Sequence, residues 1–504
     1  MRVETMTLQQ KIGQMFVAGF PGRKPSDEFL NLIHRRKLGN VILFQHNIEG
    51  RKQTRNLNKN LQKEITNATE IMPFITVDEE GGVVSRLPSG SVAMPSAMAF
   101  SEIGDPRLVY QGARITAEEL RNLGFNFNLA PVLDINSNPQ NPVIGVRSYG
   151  EDPLMVSRYA KMAVQGYLDG GILCSGKHFP GHGDTSIDSH LSLPLVHTSY
   201  EELDERELVP FRNLIRDGIP ALTIAHILVP ALEPEGIPCT LSKRVIQGLL
   251  REKLRFQGLI ISDCMEMNAM KEYYGVEAGV AASIAAGVDL IFISHTPALV
   301  ETSMREVTNA LKDGRLSMER IDDAVSRILI LKEKLSRMLK KHQNESYEEK
   351  EHLIFADQVL ERTITSQMSH KFQLGSYPIF VGVKPSRTTI VSDMVEGEFD
   401  FSHEMQKTFG GSAVCISDDP DNQEIRNVLH LAEGKSSVIL GTLNGHLHEG
   451  QRKMIRAVKS CKIPSAFVAL RNPYDLKVSG EDSFGVVLYE YSPRILEKLK
   501  FCFE

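Results

Sequence analysis

No stretch of this sequence is apolar for long enough to cross a bilayer, and the N-terminus, Met1-Arg-Val-Glu-Thr-Met-Thr-Leu-Gln-Gln-Lys, has no continuous apolar segment of the kind a secretory leader needs. A cytoplasmic protein without a membrane partner is expected. Excess positive charge is lacking too: the net charge is -6, which leaves no electrostatic case for nucleic acid. Short basic runs such as Arg35-Arg36-Lys37 read as solvated helix faces. The six cysteines, Cys174, Cys239, Cys264, Cys415, Cys461 and Cys502, form no close pair resembling a zinc site or redox motif, so reduced thiols are expected. The histidines lack both cysteine partners and a helical i,i+4 pair, so no metal and no cofactor is expected. Internal repeats and low-complexity segments are absent as well.

What is present is a chain of 504 residues, 42% hydrophobic and 24% charged, long enough for one large and one smaller core. In the first two thirds, short apolar runs alternate with longer amphipathic stretches. Strands are placed at 14–19, 40–44, 73–78, 126–133, 172–178, 220–226, 259–263 and 289–293, and eight such runs predict an α/β fold with an N-terminal (β/α)8 TIM-like barrel. A helix over 317–332 closes it. The polar stretch that follows sets a boundary, with residues 1–342 as the barrel and 343–504 as a smaller α/β layered, sandwich-type domain. That second domain has strand-like runs at 377–383, 437–440, 465–470 and 484–489 and no motif with recognisable chemistry, so packing, dimerisation or stability is its expected role.

In such a barrel the groups that do chemistry sit where strands end. Here those are Asn47, Asp78, Asp134, Lys177 with His178, His226 and Asp263. The densest cluster is residues 177–194, reading Lys-His-Phe-Pro-Gly-His-Gly-Asp-Thr-Ser-Ile-Asp-Ser-His-Leu-Ser-Leu-Pro. Gly181, Gly183 and Pro180 rule out a long helix, leaving a loop able to fold over a small polar ligand. A solvated surface loop is the plain alternative. Against it stands Asp188-Ser189-His190, in which a carboxylate two residues from an imidazole can fix its tautomer and leave the other ring nitrogen to exchange protons, the arrangement of a general acid/base pair.

This stretch resembles the signature of glycoside hydrolase family 3 in its β-N-acetylglucosaminidase branch. Lys-His-Phe is similar to the segment shared across that family, and Pro-Gly-His-Gly-Asp with Asp-Ser-His to the branch in which an Asp-His pair serves as acid/base. Val77-Asp78-Glu79-Glu80-Gly81-Gly82 resembles the family's Asp-x-Glu-Gly-Gly motif, which implies that Asp78 grips the sugar. Arg86 offers donors in a fixed fork, and Glu79 and Glu80 read equally well as loop caps paired with Arg86. Ala130-Pro-Val-Leu-Asp134 and Arg147-Ser-Tyr-Gly are similar to two further motifs, with Tyr149 in place of the usual Phe. They imply that Arg147 binds the sugar, with Asp134 expected to orient it. Ser262-Asp263-Cys-Met-Glu-Met267 resembles the nucleophile motif and assigns that role to Asp263. Lys177 and His178 end their strand and suit recognition of hydroxyls, whereas His182 and Asp184 suit loop-stabilising hydrogen bonds, and His226 is placed to line the pocket.

The resemblance implies a retaining exo-acting β-N-acetylglucosaminidase that acts on a small-molecule carbohydrate, with muropeptides in peptidoglycan recycling or chitooligosaccharides as substrates. Asp263 would attack C1 while His190, supported by Asp188, protonates the leaving oxygen. A neutral histidine repels an incoming anion less than a glutamate does, so phosphate as acceptor, in a β-N-acetylglucosaminide phosphorylase, stays open beside water, as does a broader β-glycosidase. From another class, a non-catalytic sugar-binding sensor would have no need of Asp263, Asp188 and His190 together. Oligomeric state is not legible.

Overall fold

The computed structural model describes residues 2–185, 193–368, 370–384 and 399–504. Asp188 and His190 therefore lie outside the described residues. Eight parallel strands, β1 (Phe16–Ala18), β2 (Asn40–Ile42), β3 (Phe74–Val77), β4 (Phe127–Asn128), β5 (Leu173–Phe179), β6 (Ala221–Ile224), β7 (Leu259–Cys264) and β8 (Leu290–Ile293), pair in sequence order and close into a barrel where β1 meets β8. Every residue of β3, β6 and β8 is buried. That is why these strands read as uninterrupted apolar runs: one face fills the barrel and the other packs under the helix ring, so nothing rewards alternation.

The helices between them start where the sequence supplies caps. Asp152 accepts from Met155 N at 2.7 Å ahead of Pro153–Asp169, and Ser26 caps Asp27–Arg36, which carries Asp27 and Glu28 in its first turn and Arg35 and Arg36 in its last. The closing helix is longer than expected, Met318–Lys341, and buries Ile321, Val325, Ile328 and Leu335 at helical spacing. Its Lys332 is buried beneath the barrel, donating to Gln14 Oε1 at 2.7 Å and Gly39 O at 3.1 Å, and burial holds its pKa far below the usual lysine value.

A six-stranded sheet follows in the order β11-β10-β12-β13-β14-β9, formed by β9 (Thr365–Ser366), β10 (Ile379–Val383), β11 (Ser412–Ile416), β12 (Val438–Thr442), β13 (Ser465–Ala469) and β14 (Phe484–Val487). It is parallel except for the β14–β9 edge. The sequence runs at 377–383, 437–440, 465–470 and 484–489 match four of these strands. The other two, β9 and β11, were not anticipated: β9 is two residues long, and β11, Ser412–Ile416, is a short edge strand that is only partly buried. The second hydrophobic core is not built from this region alone, because Met98, Ala99 and Val146 of the barrel belong to it. Among the described residues no helix is long and apolar enough to cross a membrane.

At the floor of the barrel, buried Asp289 accepts from Arg251 at 2.6 Å, Arg320 at 2.5 Å and Ile260 N at 3.0 Å. Replacement by alanine would leave Arg251 without its counter-charge and Arg320 with Asp323 alone. Asp289→Ala is therefore expected to cost about 3–5 kcal/mol, read as a lowered midpoint in urea unfolding. Nearer the top, Glu207 is buried beside Gly181 and accepts from Arg206 Nε at 2.7 Å and Ser137 Oγ at 3.1 Å. Burial raises its carboxyl to about 7 against the opposing pull of Arg206. A carboxyl raised on folding contributes stability below its unfolded value, near 4.5, that is lost as pH climbs to about 7. The melting temperature of Glu207→Gln minus that of the native chain should therefore become more positive from pH 4.5 to 7 and level off above, as followed by circular dichroism.

Candidate active site

A cavity of about 460 Å³ opens at the carboxyl end of the strands. Asp78, Arg86, Arg147, Lys177, His178 and Asp263, drawn from five stretches of sequence, all reach it. Two irregularities in the barrel help to aim them. Successive strand residues normally face opposite ways, yet Lys177 and His178 both line the cavity, and here the β5–β6 register shifts between Lys177 and Phe179. The β7–β8 register shifts likewise between Ile261 and Cys264, and Ser262, Asp263 and Cys264 all face the cavity.

One wall is a chain of four charges. Lys177 Nζ lies 2.7 Å from Asp78 Oδ1 and 2.6 Å from Glu80 Oε1. The two oxygens of Glu80 take Arg147 Nε and Nη2 at 2.7 and 2.8 Å, a bidentate fork. Burial alone would raise the Glu80 pKa, but Arg147 and Lys177 together hold the carboxyl well below the carboxylate range. Burial in turn works against the Lys177 ammonium, and Asp78 and Glu80 overcome it, so its pKa is raised. The expectation that Glu80 pairs with Arg86 is corrected: Glu80 holds Arg147 and Lys177. It is Glu79 that meets residue 86, through Arg86 N at 2.8 Å, while its own amide donates to Asn128 Oδ1 at 2.9 Å.

Asp134 does not orient Arg147 by hydrogen bonding. Its buried carboxylate takes His178 Nδ1 at 2.6 Å and the His182 amide at 2.7 Å. With Nδ1 held by a carboxylate, Nε2 is the His178 ring nitrogen able to meet a ligand. His182 does stabilise its loop, with its ring 2.8 Å from Thr185 Oγ1, and burial followed by nearby His178 lowers its pKa to about 4. Asp184 accepts from Thr198 at 2.9 Å and Arg206 at 3.2 Å. Gly183 sits so close to the barrel that an added Cβ would fall 1.6 Å from Ile135 O, which fixes where the loop leaves the barrel top. His226 is held by Thr240 Oγ1 at 2.8 Å and Cys264 O at 3.0 Å, behind the β7 backbone, and does not line the cavity as expected. Asn47 binds Phe20 O at 2.9 Å and Gly22 O at 2.6 Å, a loop brace.

Asp263 is half-buried at the end of β7, with Oδ1 2.7 Å from the following amide of Cys264. Glu266, the competing carboxylate, is turned toward the backbone after β8, taking His295 N at 2.6 Å. The cavity also carries three rings that were not nominated, Phe44, His46 and His295, with Phe44 stacked on His46 at 5.8 Å and 4.8 Å from His295. They follow β2 and β8, so the strand-end rule that found the others reaches them as well.

Three comparisons bear on this site. The chain is 31% identical over 369 residues to Beta-hexosaminidase A of Pseudoalteromonas piscicida, covering 66% of this chain and 62% of that protein's length. It is 33% identical over 287 residues to a Beta-hexosaminidase of Hydrogenovibrio crunogenus, covering 56% of this chain and 78% of that one. The structure of a glycoside hydrolase family 3 beta-N-acetylglucosaminidase from Paenibacillus sp. str. FPU-7 superposes with a TM-score of 0.90 at 34% identity, over 98% of this chain and 96% of that one. Residues 7–331 match the model of the Glycosyl hydrolase family 3 N terminal domain, and the chain belongs to glycosyl hydrolase family 3.

Proposed function

We propose that this protein is a retaining exo-β-N-acetylglucosaminidase that releases terminal non-reducing N-acetylglucosamine from muropeptides or chitooligosaccharides. The observation that carries the reading is the presence of Asp263 in the same cavity as a wall of fixed donors and acceptors formed by Asp78, Arg147, Lys177 and His178. The names of the similar proteins support the acetylated sugar as substrate. In this reading residues 1–342 form the catalytic barrel and 343–504 the second domain.

The wall would hold the sugar hydroxyls. Asp78 accepts, Lys177 and the N–H groups of Arg147 not taken by Glu80 and Val143 donate, and His178 offers Nε2. Because two anions and two cations offset one another there, a neutral sugar can exchange hydrogen bonds with the wall without facing a large net field. The carboxylate of Asp263 then attacks C1, and the C1–O bond to the leaving group breaks as His190 gives that oxygen its proton, with Asp188 stabilising the imidazolium. In the second step His190 takes a proton from water as the water oxygen attacks C1, and the bond to Asp263 breaks. The assignments of Asp188 and His190 rest on the sequence motif.

Hydrolysis of a chromogenic β-N-acetylglucosaminide beside the matching β-glucoside tests this reading. The acetylated substrate should be strongly preferred. Asp263→Ala should lose about 10³-fold or more in turnover, and His190→Ala about 10²–10⁴-fold. Equal cleavage of the glucoside, or an unaffected His190→Ala, would overturn the reading. Repeating the assay in phosphate buffer and looking for a glycosyl phosphate decides whether water or phosphate is the acceptor.

The Asp263 adduct gives an independent prediction. A fluorinated sugar that slows the second step should add its glycosyl mass to the native chain and not to Asp263→Ala. An unlabelled native chain that still turns over substrate would point instead to assistance by the acetamido group.

A further inference from the structure

The second domain meets the barrel on the loop that carries Arg147. Between β4 and the helix Pro153–Asp169, residues 136–151 run along the domain boundary. Tyr474 OH accepts from Asn136 Nδ2 at 2.5 Å and donates to Glu151 Oε1 at 2.7 Å, joining the two ends of that loop. Asn136 ties it internally, with Oδ1 3.1 Å from Gly145 N. Asn472 presses on the middle: Gly145 has φ +47°, and an added Cβ there would fall 2.5 Å from Asn472 Oδ1. His446 Nε2 donates to Pro139 O at 2.9 Å, and its Nδ1 is fixed by buried Asp475 at 2.7 Å, which also takes Thr442 Oγ1 at 2.7 Å. Val146 is buried in the core of the second domain.

On its other side the same loop supports the cavity. Arg147 follows Gly145 and Val146 directly and donates Nη1 to Val143 O at 3.1 Å. Asn141 takes the amides of Val143 and Ile144 at 2.8 and 2.9 Å and donates to His182 O and Gly183 O, both at 2.9 Å. Three side chains of the second domain, Tyr474, Asn472 and His446, thus contact the loop that carries Arg147, whose guanidinium must be held to within about 0.5 Å to meet two oxygens at once.

We infer that the second domain is a positioning element of the active site, in which Tyr474, Asn472 and His446 hold loop 136–151 so that Arg147 and the His182–Gly183 backbone keep their places in the cavity wall. The inference rests on the glycosidase reading for its kinetic consequence but not for its structural one. It differs from a dimerisation or bulk-stability role because it acts through Arg147. Buried Arg471, next to Asn472, is consistent with that closeness: burial and then the Arg147 charge lower its pKa to about 10.

The test is a double-mutant cycle in the full-length chain. Tyr474→Phe removes one hydroxyl and keeps the ring, and Asn472→Ala serves as a second variant. Each should lower kcat/KM for the β-N-acetylglucosaminide about 10-fold or more, chiefly through KM, while the exposed Tyr377→Phe does not. In an Arg147→Lys background the Tyr474→Phe effect should shrink to about twofold, because the fork it positions is already gone. Effects that add fully across the pair, or a Tyr474→Phe variant within about twofold of native kinetics, would overturn the inference. Should the native chain cleave no such substrate, the activity reading fails by itself, and hydrogen exchange still decides this one. Amides of 136–151 and 182–185 should exchange faster in Tyr474→Phe while the Asp289 floor is unchanged, and unchanged exchange in the loop overturns the proposal.

Discussion

The top of this barrel depends on a carboxylate removed from water. Glu80 is buried, and a buried anion is tolerated only where cations replace its hydration. Arg147 does so from the loop after β4 and Lys177 from β5 itself, so one charge ties the ends of β3 and β5 and the loop after β4 to a common point. Lys177 then extends the tie to Asp78. Removing any one of the four leaves an uncompensated charge on its neighbours, so the wall behaves as a unit and not as four separate contacts.

Around that unit the same device recurs at lower cost. Asp134 is fully buried and spends its oxygens on one side chain and backbone amides, fixing His178 and the start of the His182 segment together. Arg147, Lys177 and His178 thus each have a carboxylate partner, Glu80 or Asp134, that does not itself line the cavity. Rigid support of this kind is what allows a cavity wall to present donors and acceptors without rearranging when a sugar arrives.

Much of this was legible in sequence, for physical reasons that differ by residue. The eight barrel strands announced themselves because strands buried on both faces are largely apolar, and the polar groups ending several of the runs marked the cavity: Asp78, Lys177, His178 and Asp263 were found that way. Partner identity was not legible. Nothing in the spacing of Glu80, Arg147 and Lys177 says that a carboxylate at one strand end will meet a guanidinium 67 residues later, and Asp134, expected to orient Arg147 because a sugar-binding group needs support, takes His178 and the His182 amide instead. His226 ends its strand as the others do, yet its ring is claimed by Thr240 and the Cys264 carbonyl. The contacts of Tyr474 and His446 with the barrel span more than 300 residues and involve no motif, so a domain without recognisable chemistry gave no hint of touching the loop that carries Arg147.

The buried amine of Lys332 has a temporal meaning. It bonds to Gln14 Oε1, a residue 318 positions earlier, beside the seam where β1 pairs with β8. As the chain is synthesised, β1 finds β2 early, but its other partner, β8, is made only at residues 290–293, so the first strand presents an unpaired edge until then. The contact of Lys332 with Gln14 follows later still. A nascent chain stalled before residue 290 would therefore carry an open sheet edge, which makes a little over the first half of translation the interval in which this protein most needs protection from its neighbours.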